Sequence, residues 1–407
     1  MIQLLKIAWR SLWRHRRRTL ITLSSIVMSL AIAAYFITLA DGMYGQMLHG
    51  VLRMQAGHVT VEQAEYQDAP AVDLVVAGER ELREQVDALE GVENTKSIVL
   101  GQGIASTGAG TEAVAIAGVE PKVEASISPL VGRIRSGSYL DGELRSAVVG
   151  EELARRLELA VGDKLVLSGN DRSGQLTQEM LRVRGIFSTG ALEMDAHYVQ
   201  VPIDFARRLY GMGPDEATQV GVVIANPHRQ DEVLAAVAPI AAEHRAVALP
   251  WQEILPELST FMRIDKGANY VFQVFIIVMA MFTIFNTLLM SVLERKREFA
   301  VMLAVGTPPS RVKAQVFTEA AIMGLLGVVA GLALGALAAW GTDGYDLSAQ
   351  MPGGFDVGGF LVEPRLNMQV DPSTFAWLGA GSLVAILLMA VVPMFRIDSI
   401  NVTEAFR

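Results

Sequence analysis

The chain has 407 residues, of which 51% are hydrophobic and 19% charged, and its formal net charge is −9 at pH 7. With a mean hydropathy of +0.35, this composition is that of a membrane protein and excludes an ordinary soluble one. The sequence contains no cysteine, which excludes disulfides, a thiol nucleophile and cysteine-ligated metals.

The first 19 residues place apolar and basic side chains at helical spacing. Tryptophan favours the headgroup level and arginine favours anionic lipid, so we predict an interfacial amphipathic helix over residues 1–19. The alternative is that these bases only set the membrane topology. The apolar run that follows is too long for a signal-peptide core, which indicates an uncleaved anchor. The basic residues are Lys6, Arg10, Arg14, Arg16, Arg17 and Arg18.

Four long apolar runs can each cross about 30 Å of hydrocarbon at about 1.5 Å per residue. The predicted spans are residues 20–40, 267–293, 314–342 and 372–395. Bases flank the first span and fill the connection at 294–313, so we expect these parts and the tail at 396–407 to be cytoplasmic. The loop at 343–371 carries five acids and only Arg365 as a base, so we expect it outside.

Residues 41–266 form a soluble-type segment in which acids outnumber bases. Recurrent apolar alternation and turn signals indicate a folded α+β domain. Its outer strand and helix patterns enclose a central block, so we expect two subdomains, one from the segment's two ends and one from its middle. A helix over 251–266 leads towards the second span. Strands are predicted at 57–63, 92–106, 112–118, 164–167, 181–187, 197–201, 219–225 and 246–249, and helices at 78–89, 148–157, 203–210 and 229–242.

The connection between the second and third spans is predicted to contain a short helix at 294–305. Gly306 and the prolines at 308 and 309 end it, and Ser310 is a candidate cap for the next helix. Within the second span, Asn286 and Thr287 need hydrogen-bonding partners in hydrocarbon. Contact with another helix is favoured over contact with a substrate. In the third span, close helix approach is expected at Gly324, Gly327, Gly331 and Gly335.

The catalytic and ligand-binding motifs that would indicate an enzyme are missing from the sequence. It has no phosphate-binding G-x-x-x-x-G-K-[ST] loop, no G-x-S-x-G and no H-E-x-x-H, and its six histidines are scattered. We therefore expect a non-catalytic subunit with no metal site and no cofactor of its own. We expect no nucleic-acid partner.

Several stretches carry a resemblance to a known family. One span, a large domain and three further spans, with ERKREFAVMLAVGTPPSRV after the second span, resemble the permease subunits of MacB/FtsX-type ABC transporters. The ending VVPMFRIDSINVTEAFR is similar to that of the family. VVGEELARRLELAVGDKLVL and VRGIFSTGALEMDAHYVQVPIDFARRLYG resemble the MacB-like core domain, closest to the lipoprotein-releasing LolC/LolE branch.

The resemblance implies a coupling helix at 294–305 that contacts a separate ABC ATPase dimer, which would hold ATP and Mg²⁺. It also implies a second permease, either the same or a related chain, and a bacterial inner-membrane location with the large domain in the periplasm. The polar contacts would be Glu294, Arg297 and Glu298, and the apolar contacts Phe299, Met302 and Leu303.

Three functions remain open at this point. The first is mechanotransmission that extracts or exports lipoprotein or another amphiphile. The second is force transmission to a periplasmic partner such as a cell-wall enzyme. The third, a membrane enzyme, is disfavoured by the missing motifs. The stretch at 168–180 lacks the proline pattern of the carrier-binding loop in the LolC/LolE branch.

Overall fold

The computed structural model describes residues 2–14, 16–55, 57–347, 349, 355–357, 360–362 and 365–398. The chain divides into two compact units. The helical unit comprises residues 1–45, 263–347 and 365–407, and the α/β domain comprises residues 46–262 and 348–364. The predicted tail at 396–407 lies outside the described residues from 399 onwards.

The helices are numbered in chain order. They are α1 (Ile2–Arg14), α2 (Arg16–Met54), α3 (Glu79–Asp87), α4 (Pro121–Ile127), α5 (Glu151–Arg156), α6 (Leu192–His197), α7 (Ile203–Tyr210), α8 (Gln230–Glu243), α9 (Trp251–Ile254), α10 (Pro256–Glu294), α11 (Lys296–Ala304), α12 (Pro309–Thr342) and α13 (Pro372–Asp398). Short 3-10 turns occur at Pro129–Arg133 and Pro227–Arg229.

The strands are numbered in the same way. They are β1 (Val59–Glu62), β2 (Val76–Ala77), β3 (Val92–Ser106), β4 (Thr111–Val119), β5 (Ile134–Gly137), β6 (Ser146–Gly150), β7 (Lys164–Asn170), β8 (Leu176–Phe187), β9 (Tyr198–Pro202), β10 (Glu216–Ala217), β11 (Gln219–Ile224), β12 (Val247–Pro250), β13 (Phe355–Val357) and β14 (Phe360–Val362).

Among the described residues, four helices are long and apolar enough to cross a membrane: α2, α10, α12 and the Pro372–Phe395 part of α13. One lies before the α/β domain in the sequence and three follow it, so the predicted fold class is confirmed. Helices α2 and α10 each have 39 residues and extend well beyond the roughly 20 that a span requires. The predicted helix at 251–266 is interrupted at Leu255, immediately before Pro256, because a proline disfavours helical geometry in the residue before it.

The helical unit is held together by close packing of α12 on its neighbours. A Cβ atom added to Gly327 would lie 2.5 Å from Ile26 of α2, and one added to Gly324 would lie 2.9 Å from Ile386 of α13. Gly331 and Gly335 lie equally close to α2. Glycine therefore permits backbone approach that a larger residue would block, as the sequence predicted. Helix α1 also packs here, with Ala8 and Leu12 buried and Trp9 and Trp13 each 46% exposed.

The α/β domain is built on a ten-stranded mixed sheet in the order β12-β1-β11-β3-β4-β9-β6-β8-β5, with β7 beside β3 and β8. Strand β3 has 15 residues and connects the two parts of this sheet. Its first half pairs with β11, and its second half pairs with β4 and β7. This strand order joins segments that are far apart in the sequence.

Two large hydrophobic cores correspond to the two predicted subdomains. One is formed from both ends of the segment and contains Val59, Leu82, Val222 and Val237. The other comes from the middle of the segment, between Val99 and Tyr210. The cores are separate, yet the strands beneath them belong to one sheet. A displacement of β3 would therefore reach both cores.

One predicted helix is wrong. Residues 148–157 do not form a single helix, because β6 ends at Gly150 and α5 starts at Glu151. All five residues of β6 are buried, and its neighbours in the sheet are β8 and β9. A fully buried strand loses the alternating pattern by which strands are recognised. A Cβ on Gly150 would lie 2.1 Å from the carbonyl oxygen of Asp195, so this turn requires glycine.

Candidate functional site

The segment between the second and third spans forms a compact helical turn in the helical unit. Helix α10 ends at Glu294, and α11 runs from Lys296 to Ala304. Gly306 has a φ of +94°, its N–H donates to Leu303 O, and the N–H of Thr307 donates to Met302 O. These two bonds satisfy the last carbonyls of α11 in a Schellman arrangement. The predicted end of the helix at Gly306 is therefore confirmed.

The next helix starts differently from the prediction. Helix α12 begins at Pro309, with Pro308 at the cap position and no side-chain cap hydrogen bond. Ser310 lies inside the first helical turn and does not cap it. Proline suits the first helical position because it has no N–H to leave unsatisfied and its φ is already helical. The sequence of two prolines thus serves as the start signal.

The inner face of α11 packs against the rest of the helical unit. Phe299 is 0% exposed and lies in a cluster with Val292, Val312 and Val316. Met302 and Leu303 are partly buried against the same cluster. Phe299 is therefore not accessible as a partner contact, and we correct its role to that of an internal anchor. The helical period was read correctly, but the hydrophobic face is covered by this chain's own helices.

A buried ion pair fixes the start of α11 to α12. The guanidinium of Arg295 donates to both carboxylate oxygens of Glu319, at 2.9 and 3.1 Å. It also donates to Glu298 at 3.0 Å and lies 4.9 Å from the ring centroid of Phe299. Gln315 donates to Glu319 as well. This pair was not predicted from the sequence, although a glutamate inside an apolar helix indicates a buried partner.

Arginines from the N-terminal part of the chain complete this network. Arg18 pairs with Glu294 at 2.5 Å and donates to Ser291 at 2.8 Å, and Arg14 pairs with Glu298 at 3.2 Å. The Arg14 side chain is 72% exposed, so its pair adds little stability. These contacts hold the start of α2 beside the end of α10 and the end of α1 beside α11.

The outer face of α11 is solvent-accessible and amphipathic. Glu294, Arg297 and Glu298 are all exposed. Among the residues that the structure describes, no carboxylate pairs with Arg297. Two apolar residues that the sequence analysis did not select lie on this surface, Val301 at 46% exposure and Val305 at 82%. We call the surface formed by these five residues the α11 surface.

The two polar residues predicted in the second span have different surroundings. The hydroxyl oxygens of Thr287 and Thr22 lie 3.0 Å apart and bridge α10 to α2. Asn286 is exposed, and within the described part of the chain its amide has no hydrogen-bonding partner. Its predicted contact with another helix stays a prediction. Further along the same two helices, Asn269 donates to Tyr44 at 3.1 Å and Asp265 pairs with the Tyr44 hydroxyl.

The α11 surface is both charged and apolar. It combines fixed charges of both signs with two exposed valines on a helix that is anchored from behind. In the part of the chain that the structure describes, no three histidine, aspartate or glutamate side chains are grouped so that they could hold a metal ion.

Two family models match the chain. Residues 19–240 match the MacB-like periplasmic core domain, and residues 270–402 match the FtsX-like permease C-terminal family. The first of these alone covers more than half of the sequence. The first match covers the first span and most of the α/β domain, and the second covers most of the last three spans.

Curated proteins similar in sequence to this chain are membrane components of transport systems. The chain is 24% identical to the lipoprotein-releasing system transmembrane protein LolC of Neisseria meningitidis, over 61% of this chain and 63% of that protein. It is 21% identical to LolE of Haemophilus influenzae, over 82% of this chain and 81% of that protein. It is 20% identical to an uncharacterized ABC transporter permease of Methanocaldococcus jannaschii, over 82% of both chains.

Solved structures also match. The periplasmic region of MacB from Actinobacillus actinomycetemcomitans covers 52% of this chain and 97% of its own length, with 10% identity and a TM-score of 0.36. The extracellular domain of the transporter YknZ from Gram-positive bacteria covers 47% of this chain and 97% of its own, with 12% identity and a TM-score of 0.35. On the matches of the family models, the chain belongs to the FtsX/MacB/LolC family of ABC transporter permeases.

Proposed function

We propose that the chain receives force from a separate ABC ATPase at the α11 surface and transmits it to the α/β domain on the opposite side of a bacterial inner membrane. The observation that supports this proposal is that one face of α11 is fixed to the rest of the helical unit and the other face is exposed. Its inner face is fixed by Phe299 and by the Arg295–Glu319 pair, while Arg297, Val301 and Val305 face outwards. A helix fixed in this way moves together with α10 and α12 when it is pushed.

The energy source lies outside this chain in the proposed mechanism. The sequence has no phosphate-binding loop, so ATP and Mg²⁺ would be bound by an ATPase dimer. Closure of that dimer would push two permeases, one on each ATPase, and the second permease would be the same or a related chain. This chain itself would need no cofactor. The bases around α1, α11 and the start of α12 favour the cytoplasmic side for the α11 surface.

We further propose that the cargo is a lipoprotein or another amphiphile that is extracted or exported at the outer face of the membrane. Support comes from the names of two relatives, LolC and LolE, which are lipoprotein-releasing system proteins. The membrane-spanning helices also present large exposed apolar residues, among them Phe272, Phe275 and Phe282. Such surfaces suit a lipid-modified substrate or the neighbouring permease.

The test is an exchange of charge and polarity on the α11 surface. The double variant Arg297→Glu/Val305→Asp should lose co-purification with the ATPase, or retain it with ATP hydrolysis uncoupled from transport, because the surface would no longer fit its partner. The matched control is Arg135→Glu/Val161→Asp, which makes the same changes at exposed positions of the α/β domain. Normal assembly and coupled hydrolysis in the first variant would refute the docking role.

A further inference from the structure

The C-terminal end of α2 is held inside the α/β domain by the side chain of a buried lysine, Lys96. A helix end presents unsatisfied carbonyl groups that together carry a partial negative charge. Here the ammonium group of Lys96 donates to the backbone oxygen of Arg53 at 2.8 Å and to that of Met54 at 3.3 Å. Lys96 belongs to β3, 42 residues further along the chain from Met54. A side chain of the central strand thus caps the end of the first membrane-spanning helix.

The ammonium group is completely enclosed. Lys96 is 1% exposed, and its third contact is with the carboxylate of Glu124, 3.2 Å away and also 1% exposed. Three acceptors therefore match the three donors of a lysine. Burial lowers the pKa of Lys96, and the negative charge of Glu124 opposes that shift. Each N–H of the ammonium group therefore has an acceptor in the interior.

A second contact joins the same helix turn to the same strand. The side chain of Arg53 forms an ion pair with Glu93, which is also in β3. The last turn of α2 is consequently attached to β3 at two points, one through its carbonyl groups and one through a side chain. Strand β3 pairs with β11 on one side and with β4 and β7 further along, so both hydrophobic cores adjoin it.

The arrangement is not the one that stability alone would favour. One oxygen of Glu124 and the Nε of Arg53 are buried without a hydrogen-bond partner among the described residues. Buried ion pairs can often be replaced by apolar residues of similar volume at no cost in stability. The charged pair instead fixes the position of the helix end on β3, because the ammonium group binds the carbonyl groups of one particular helix turn.

We propose that Lys96 is a positioning residue that clamps the C-terminal end of α2 to β3, so that a displacement of α2 enters the α/β domain at this strand. The inference rests on the proposed function, in which α2 is displaced by the ATPase. The added element is the contact through which the displacement of α2 reaches β3. The clamp consists of Arg53, Met54, Glu93, Lys96 and Glu124.

The first test measures the clamp itself, independently of any ATPase. The full chain in detergent carries Lys96→Met/Glu124→Gln, which removes both charges together and leaves none unpaired. Amide hydrogen exchange at residues 49–54 should become at least about tenfold faster, because the last helix turn loses its cap. The matched control is Arg207→Met/Glu79→Gln, another buried ion pair of the same domain that contacts neither Arg53 nor Glu124. Unchanged exchange at 49–54 in the first variant would overturn the clamp.

The second test measures transmission, which a merely structural role would not affect. The chain has no natural cysteine, so spin labels can be placed at Ile21→Cys in α2 and Gln175→Cys in the α/β domain. In the complex with its ATPase, ATP and vanadate should shift the distance distribution in the wild-type background and leave it unshifted in Lys96→Met/Glu124→Gln. An equal shift in both overturns the role of Lys96. No shift in the wild-type background overturns the proposed transmission, and with it the inference.

If the double variant does not accumulate, Lys96→Met/Glu124→Leu takes its place in both tests, because an apolar pair suits a buried site. An unfolding temperature close to that of the wild type, together with lost transmission, distinguishes positioning from stabilisation. A variant that both unfolds like the wild type and transmits like it would contradict the proposal.

Discussion

Buried charged residues form ion pairs and hydrogen bonds within each of the two units. In the helical unit, Arg295 and Glu319 are 9% and 4% exposed and satisfy each other through two hydrogen bonds. In the α/β domain, Glu79 accepts hydrogen bonds from Arg207 and Ser97 and so links α3 to α7 and β3. Such contacts cannot be predicted from local spacing, because their partners are far apart in the sequence. Gly306 was predictable, since a glycine at a helix end acts on its own backbone.

The Arg295–Glu319 pair leads to a stability prediction. Replacing Glu319 by Leu leaves a buried guanidinium without its main counter-charge, which costs about 3–5 kcal/mol. The double variant Arg295→Met/Glu319→Leu should recover most of that loss, because it leaves no buried charge unpaired. Denaturant unfolding of the purified chain in detergent measures both. If the double variant is as unstable as Glu319→Leu, the unpaired charge of Arg295 is not the cause of the instability.

His58 gives a pH prediction for the α/β domain. Burial, assisted by the neighbouring charges of His49 and Arg53, lowers the pKa of His58 to about 4. Its Nδ1 accepts the N–H of Ile224 at 3.3 Å. The ring is therefore neutral in the folded state, whereas in the unfolded chain it protonates near pH 6.5. Its contribution to stability is fully present above pH 6.5 and is lost as the pH falls towards 4. The loss is on the order of 3 kcal/mol.

Unfolding of the full chain between pH 7 and pH 4 measures this dependence, with His58→Gln as the comparison. Glutamine does not titrate, so the variant should show a shallower decline over the same range. Identical pH profiles for the two chains would exclude His58 as the source.

At the scale of whole elements, α12 illustrates what the sequence can and cannot predict. The glycines of its small-residue face were selected from their spacing, and the structure confirms close approach to α2 and α13. The inner face of α11 is the opposite case. The helical spacing of its apolar residues was predicted correctly, but these residues pack against helices of the same chain and not against a partner. Helical periodicity identifies which side is buried, and it carries no information on what buries it. Strand β6 was missed for a related reason, since complete burial removes the alternation.

The packing of α12 can be tested with two matched glycine substitutions. A Cβ on Gly331 would lie 2.8 Å from the Cβ of Leu30, whereas none of the atoms around Gly341 lies within 4 Å of an added Cβ. Gly331→Ala should destabilise the chain by about 1–3 kcal/mol, because overlap outweighs the better helix propensity of alanine. Gly341→Ala should be neutral or stabilising by up to about 1 kcal/mol. Thermal unfolding in detergent measures both variants. A higher unfolding temperature for Gly331→Ala than for Gly341→Ala would contradict this packing.

At the scale of the whole molecule, the proposed function depends on a sequence of three connections. In this proposal the α11 surface would contact the ATPase, the helical unit would carry the displacement, and the clamp at Lys96 would pass it to β3. The four-span architecture could be predicted from the sequence because apolar length and flanking charge are local properties. The ten-stranded sheet could not, because its order depends on pairings between distant strands such as β1 with β11 and β12.

Docking of the ATPase on the α11 surface can be measured by site-specific photo-crosslinking in the native membrane. A photo-reactive residue is placed at Val305 on the α11 surface or at Trp340 near the other end of α12, and both positions are highly exposed. If the α11 surface is the docking site, the ATPase forms an adduct with position 305 and none with position 340. An ATPase adduct at position 340, or none at position 305 in an assembled complex, would exclude the α11 surface as the docking site.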